Sequence, residues 1–134
     1  MDISELIPSP RLSKELAADP SVENSPRQVF DSAFSWGQTR PPKKPELIHV
    51  NKEYLKELGV KVGSTEDLLQ SLSGGNTFNG FRPFAMNYGG HQFGHWAGQL
   101  GDGRAINILE TDIDGKPFTF QFECHRGQDR LHKP

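Results

Sequence analysis

The sequence predicts an α+β fold that contains a β-hairpin, two short helices and an extended N-terminal arm. Three observations carry this prediction. Asp114-Gly115 separates two segments of alternating apolar residues, two short segments begin at helix-capping residues, and prolines interrupt the first part of the chain. The 134 residues suffice for one domain with a modest core.

The hairpin is predicted between two strands that Asp114-Gly115 joins. Ala105–Glu110 alternates around Ile106 and Ile108, which is the pattern of a half-buried strand. The second strand, 117–122, places three aromatic side chains on one face: Phe118, Phe120 and Phe122. An Asp-Gly pair between two such strands favours a tight type I′ turn.

Two short helices are predicted upstream of the hairpin. Asn51 can cap a helix over Lys52–Leu58, which Gly59 then ends. Ser64 or Thr65 can cap a second helix over Glu66–Leu72, with acids in its first turn.

The N-terminal part of the chain is predicted to be irregular. Residues 1–25 are polar and interrupted by prolines, which predicts a loosely ordered arm. Thr39–Pro45, TRPPKKP, is predicted to be extended because each proline restrains the residue before it. Glu46–Val50 has three apolar residues and is predicted to be a short strand, and Phe78–Met86 is predicted to be a loop.

Composition argues against several classes of protein. The net charge is −2 with acids and bases interspersed, which argues against a bulk binder of nucleic acid or of membrane surfaces. No segment approaches the ~18 consecutive apolar residues of a membrane span. The first residues lack a basic region followed by an apolar one, and they carry early acids, so a cytoplasmic location is expected.

Low hydrophobicity bounds the size of the core. Apolar residues make up 34% of the chain, and the mean hydropathy is −0.64. Both values are low for a self-sufficient globule, so we expect a partly ordered chain or a piece of a larger protein. The single cysteine, Cys124, excludes an internal disulfide framework.

The candidate site is a glycine-rich turn between strands, predicted over 88–110. Its six glycines allow positive φ angles and close backbone approach to a ligand; they are Gly89, Gly90, Gly94, Gly98, Gly101 and Gly103. In Leu100–Ala105, LGDGRA, backbone N–H groups can form a nest for phosphate oxygens, to which Arg104 can donate as well. From these residues alone, an ordinary type I′ turn at Asp102-Gly103 with a solvated arginine is equally compatible.

The other reactive or aromatic side chains in this region are assigned structural roles. His91 and His95 have a metal-site spacing only on a helix, which the neighbouring glycines disfavour, so no metal site is predicted. Tyr88, Phe93 and Trp96 are predicted to pack in the core and the hairpin rather than to stack on a base. Cys124 has no activating partner beyond His125 and Arg126, so we do not expect a nucleophile.

The motifs of this chain resemble those of a known family. The segment 88–110, YGGHQFGHWAGQLGDGRAINILE, is similar to the signature of the selenoprotein O family, also called YdiU. The upstream segments SPRQVFDSAFSWGQTRPPKKPELIHV and GGNTFNGFRPFAMN resemble the same family. The resemblance covers roughly Ser25–Gln121, and the PRQV, HQFG and WAGQLGDGRA motifs occur in the family's order.

The resemblance implies a fold and an activity. Residues 26–122 would form the N-terminal part of a kinase-like domain, a partial protein-kinase-like N-lobe. The family transfers AMP from ATP to Ser, Thr or Tyr hydroxyls of protein substrates, using Mg²⁺, with the nucleotide flipped so that its α-phosphate is attacked. The family's nucleotide-binding positions fall on Gly101, Gly103 and Arg104. The family's catalytic aspartate, metal-binding residues and C-lobe have no counterpart, so neither a catalytic residue nor a metal ligand is expected in this chain.

The tail, residues 123–134, departs from the family's pattern. Where the family reads approximately QLKGAG, with a lysine that holds phosphates, this chain reads Gln121-Phe122-Glu123-Cys124. The position of the missing strand lysine is therefore Glu123, whose carboxylate would repel phosphates. We expect weak ATP binding and no activity from this chain alone. The alternative is a stand-alone module that binds a nucleotide or a partner without catalysis.

A frameshift would account for the divergent tail. The codons AGG GGG CAG GAC AGA CTC CAT can encode Arg126 and the six residues after it. Read from the third base of the first codon, they give Gly-Ala-Gly-Gln-Thr-Pro, which restores the family's motif. Sequencing the locus tests this hypothesis: we expect a family-like C-lobe in the shifted frame downstream. Its absence from every frame would contradict the hypothesis.

Overall fold

The computed structural model describes residues 1–21, 28–61, 63–75, 78, 80–100 and 105–123. These residues form a sheet-based fold with few helices, so the predicted α+β class is confirmed. The strands are β1 (Ala18–Asp19), β2 (Phe34–Trp36), β3 (Phe84–Met86), β4 (Tyr88–Gln92), β5 (His95–Leu100), β6 (Ala105–Ile113) and β7 (Lys116–Glu123). The helices are a 3₁₀ helix (Ile3–Glu5), α1 (Leu12–Glu15), α2 (Lys52–Glu57) and α3 (Thr65–Leu72).

The strands form two sheets. The larger sheet has the order β1-β2-β3-β6-β7, and β4 pairs with β5 in a separate two-stranded sheet. Strands β1 and β2 are parallel, and the other pairs are antiparallel. The core lies on the larger sheet, where the side chains of Phe34, Phe84 and Leu109 are fully buried.

The hairpin formed by β6 and β7 confirms the prediction at Asp114-Gly115. Both turn residues have positive φ angles, 50° and 74°, as a type I′ turn requires. The register shifts between Asn107 and Leu109, so Ile108 is an extra residue on β6. Ile108 and Leu109 both belong to the core, and the bulge therefore adds an apolar side chain to the buried set.

The alternation predicted for β7 is confirmed. Its side chains are half-buried at the three phenylalanines and exposed at the positions between them. The ring of Phe120 stacks on that of Phe78, with 6.5 Å between ring centroids. Phe118, Phe120 and Phe122 pack against the core cluster from the edge of the sheet.

The capping residues of both predicted helices are confirmed. The Asn51 side chain accepts a hydrogen bond from the backbone N–H of Tyr54 at 3.0 Å. Ser64 and Asp67 form a reciprocal capping box at the start of α3. Gly59 follows α2 with a φ of 72°, a conformation that glycine adopts more readily than other residues.

The N-terminal residues pack against the fold, in place of the loosely ordered arm that the sequence predicts. Ile3 and Leu6 are buried, because the 3₁₀ helix places both apolar side chains in the core. The backbone N–H of Lys61 donates to the Met1 carbonyl at 2.7 Å, and that of Ser9 donates to the Glu110 carbonyl at 2.7 Å. Residues 1–21 are therefore an integral part of the fold.

A buried carboxylate anchors this N-terminal segment to β6. The Glu110 side chain is 4% exposed. It accepts hydrogen bonds from the backbone N–H groups of Arg11 at 3.2 Å and Leu12 at 3.0 Å, and from the Ser13 hydroxyl at 3.3 Å. The carboxylate thus satisfies N–H groups at the start of α1 that have no partner within the helix.

Two local predictions are wrong. Glu46–Val50 forms no strand: Leu47 and Ile48 are exposed, and no strand among the described residues pairs with them. Residues 84–86, predicted to lie in a loop, form β3 between β2 and β6. Tertiary pairing decides both cases, since neither segment is long enough to show a clear period.

Adjacent apolar residues offer a matched test of the N-terminal packing. Leu6 is 0% exposed and Ile7 is 75% exposed. We expect Leu6→Ala to lower the free energy of unfolding by about 2–5 kcal/mol through cavity formation. Ile7→Ala should change it by less than about 0.5 kcal/mol. Urea unfolding measures both values, and equal effects of the two substitutions would contradict the packing described.

Candidate functional site

The three predicted nucleotide-binding residues lie outside the described residues. Gly101, Gly103 and Arg104 fall in the connection between the last residue of β5, Leu100, and the first residue of β6, Ala105. The predicted phosphate nest therefore stays a prediction. What the structure gives is the arrangement of the strands on both sides of the connection.

The residue before the connection, Leu100, is the last residue of β5, and β5 pairs with β4. Leu100 pairs with Tyr88, which lies two residues after the end of β3. The turn of this second hairpin consists of Phe93 and Gly94, with φ angles of 51° and 79°. The segment predicted as one glycine-rich turn thus contains a complete hairpin over 88–100, and the connection to β6 begins only at its end.

Two glycines shape this second hairpin. Gly98 has a φ of 80°, and a Cβ there would meet the side chain of Gln28. A Cβ at Gly89 would lie 2.9 Å from the ring of Trp96, so glycine leaves the space that this indole occupies. The ring of His91 meets the same indole edge-on, with 5.2 Å between centroids.

The aromatic residues of this hairpin are exposed, so the prediction that they pack in the core is wrong. The exposed fractions are 101% for Phe93, 62% for Trp96 and 48% for Tyr88. The physical reason is that β4 and β5 pair only with each other in the part of the chain that the structure describes. Among the described residues, no further strand pairs with this hairpin to extend it into a larger sheet that could cover the rings.

Phe93 is a candidate functional residue that the sequence reasoning missed. It is wholly exposed and has a positive φ, and both features are unfavourable for a large apolar side chain. Residues held in such conformations cluster at ligand-binding sites. The available signal was the Phe-Gly pair midway between two short segments of strand character.

His91 and His95 lie on strands, as the argument against a helix anticipated. His91 pairs with Trp96 and His95 pairs with Gln92 across the hairpin, so each histidine faces a different partner residue. Within the described ranges, no group of three His, Cys, Asp or Glu side chains is arranged to hold a metal ion.

Glu123 lies directly beside the end of the connection. The register of β6 and β7 pairs Glu123 with Ala105, the residue that follows Arg104. The Glu123 side chain is exposed, and no cation lies within ion-pair distance of it among the described residues. Arg104 and the residues after Glu123 lie outside the described residues, so the repulsion of phosphate oxygens by this carboxylate stays a prediction.

Cys124, His125, Arg126 and the residues after them lie outside the described residues, so the expectations about the tail beyond Glu123 stay predictions. Each helix in the described ranges falls short of the length and apolar character that crossing a lipid bilayer requires.

Comparison with known proteins gives one family and several relatives. The family model described as "Protein adenylyltransferase SelO" matches residues 14–125. The protein nucleotidyltransferase YdiU of Flavobacterium johnsoniae is 42% identical over 115 residues, which are 84% of this chain and 22% of that protein. The YdiU protein of Rhodopirellula baltica is 43% identical over 117 residues, with the same two shares. No solved structure matches the chain.

The matched relatives are much longer than this chain. A third YdiU protein, from Tolumonas auensis, is 43% identical over 102 residues, which are 75% of this chain but 20% of that protein. The chain therefore spans about a fifth of the length of the curated relatives it matches. The residues that match the family model, 14–125, include both hairpins and the connection between β5 and β6.

Proposed function

The chain belongs to the SelO family, and on that premise we propose that it is the N-terminal part of an ATP-dependent protein adenylyltransferase. The observation that carries the proposal is the family match over 14–125, which contains the glycine-rich connection between β5 and β6. The curated relatives are named protein nucleotidyltransferases, which supports a nucleotidyltransferase family. The complete protein would transfer AMP from ATP to Ser, Thr or Tyr hydroxyls of protein substrates in the cytoplasm.

In this proposal the connection between β5 and β6 holds the nucleotide's phosphates. Gly101 and Gly103 lack side chains, so their backbone N–H groups can approach phosphate oxygens closely. Arg104 supplies a planar fork of N–H donors and a positive charge. Positioning and charge neutralisation are the main demands of phosphoryl chemistry, and Mg²⁺ bound with ATP would contribute to the second.

The paired strands support this role of the connection. Leu100 is held beside Tyr88, and Ala105 is held beside Glu123, so both ends of the four-residue connection begin from paired backbone. Preorganised N–H groups bind an anion best, and two strand ends that are defined by pairing are a suitable base for such groups. The exposed Phe93 lies at the tip of the adjoining hairpin, where it is free to contact a ligand.

We infer that this chain alone transfers no AMP. The residues that would act as catalytic base and metal ligands are expected in the part of the relatives that this chain does not span. The carboxylate of Glu123, where the family's pattern has a lysine, also weakens the binding of ATP. Attachment of labelled AMP to a protein acceptor, from ATP labelled at its α-phosphate and above a control without the chain, would refute this inference.

Titration with ATP and Mg²⁺ tests the proposed phosphate site. We expect weak but saturable binding, measured by calorimetry, that Arg104→Ala lowers at least about fivefold because a phosphate donor is lost. Lys44→Ala is the matched control, since Lys44 is an exposed cation distant in sequence from the connection. Equal effects of the two substitutions would contradict a specific role for Arg104. The alternative of a stand-alone binding module predicts instead saturable binding in the micromolar range that weakens on Arg104→Ala.

Charge reversal at Glu123 tests the effect of the tail. We expect Glu123→Lys to tighten ATP binding by about tenfold or more, because a cation replaces an anion beside the connection. Glu46→Lys makes the same change in net charge at an exposed position outside the site. If both variants tighten ATP binding to the same extent in the calorimetric titration, the proposed effect of the Glu123 charge on ATP binding is contradicted.

A further inference from the structure

A second candidate site lies away from the glycine-rich connection. A groove of about 590 Å³ is lined by α2, α3 and the segments that flank α2. Its apolar lining comes from Leu47, Val50, Leu55, Val60 and Leu68. Volumes of this size are typical of clefts that bind ligands or anchor side chains of a partner.

The charge of this groove has one sign. Every charged residue that lines it is a lysine: Lys52, Lys56 and Lys61. All three side chains are exposed, and none has a carboxylate within ion-pair distance in the described part of the chain. Lys52 and Lys56 are four residues apart on α2, so they lie on the same side of the helix. The groove therefore combines an apolar floor with a rim of three lysines, and a carboxylate beside it, that of Asp67, accepts hydrogen bonds from the hydroxyl and the backbone N–H of Ser64.

The backbone beside the groove is free to pair. No hydrogen bond joins the N–H or carbonyl groups of residues 46–49 to any part of the chain that the structure describes. This is the segment whose apolar residues predict a strand. Leu47 lines the groove, whereas the next side chain, Ile48, is 98% exposed and does not. The segment thus has strand-forming residues and backbone groups that another strand can use.

We propose that this groove binds a short peptide segment in which apolar and acidic side chains alternate. The peptide adds a strand to residues 46–49, its apolar side chains enter the groove over Leu55, Val60 and Leu68, and its carboxylates pair with the lysines of the rim. Addition of a peptide strand to an unpaired backbone edge is a common mode of recognition. A fatty acid would match the apolar floor and the lysines but would leave the backbone groups unused.

Binding of a defined peptide to the full chain tests the proposal. The probe is a fluorescein-labelled peptide of sequence Glu-Val-Glu-Leu-Asp-Ile-Glu, followed by fluorescence anisotropy. We expect saturable binding that the double substitution Lys52→Glu and Lys56→Glu weakens about tenfold or more, since it reverses the charge of the rim. Lys43→Glu with Lys44→Glu is the matched control, because it makes the same charge change at exposed residues that do not line the groove.

A second pair of variants separates the apolar floor from general charge effects. Leu47→Asp should weaken binding about tenfold or more, and Ile48→Asp should leave it within about twofold. Circular dichroism of each variant checks that it folds. Both positions are exposed, so we expect both variants to fold. The proposal is overturned if the peptide does not bind, if the matched variants weaken binding equally, or if decanoate binds with the same dependence on Leu47 while the peptide does not.

Discussion

Strand β6 is buried from Ile106 to Thr111, and the polar groups within this stretch require partners that only neighbouring segments can supply. Glu110 is the most demanding of them, because a buried carboxylate is unfavourable unless hydrogen bonds compensate for its lost hydration. The N-terminal segment supplies those bonds through the backbone of Arg11 and Leu12. Thr111 makes the same demand and donates its hydroxyl proton to the Ile7 carbonyl at 2.7 Å.

This requirement links the core to the candidate site. Because β3, β7 and the N-terminal segment all attach to β6, the first residue of that strand, Ala105, has a fixed position next to Glu123. The connection that carries Arg104 therefore ends at a well-defined point of the sheet. Glu123 lies beside Ala105 for the same reason, because the register of the hairpin sets its place.

Local sequence signals predict those parts of the fold that local interactions determine. Asp114-Gly115 identifies the β6–β7 turn because few residue pairs adopt two successive positive φ angles readily, and Asn51 and Ser64 identify helix starts because their side chains bind the first N–H groups. The packing of residues 1–21 depends on distant partners such as Glu110 and Lys61, and whether residues 46–49 pair with a strand depends on segments elsewhere in the chain. A pattern in one segment does not contain that information.

The candidate site was predictable in a similar, partial way. The glycines and Arg104 stand out by residue type and by resemblance to one family, and the reversed charge at Glu123 follows from the same comparison of motifs. The second hairpin and the exposure of Phe93 and Trp96 did not follow from the sequence, because large apolar side chains are more often buried than exposed. In the part of the chain that the structure describes, these two strands pair only with each other, and the rings of Phe93 and Trp96 are exposed.

We propose that the backbone of the β5–β6 connection binds nucleotide phosphates. Amide NMR shifts of the residues in this connection test the proposal. On addition of ATP with Mg²⁺ to the Glu123→Lys chain, we expect saturable shifts of the Gly101 and Gly103 amide resonances. Amides outside the connection, such as that of Ser64 at the start of α3, should stay unchanged. Shifts confined to other regions, or no shift at Gly101 and Gly103 while ATP binds, would contradict the claim.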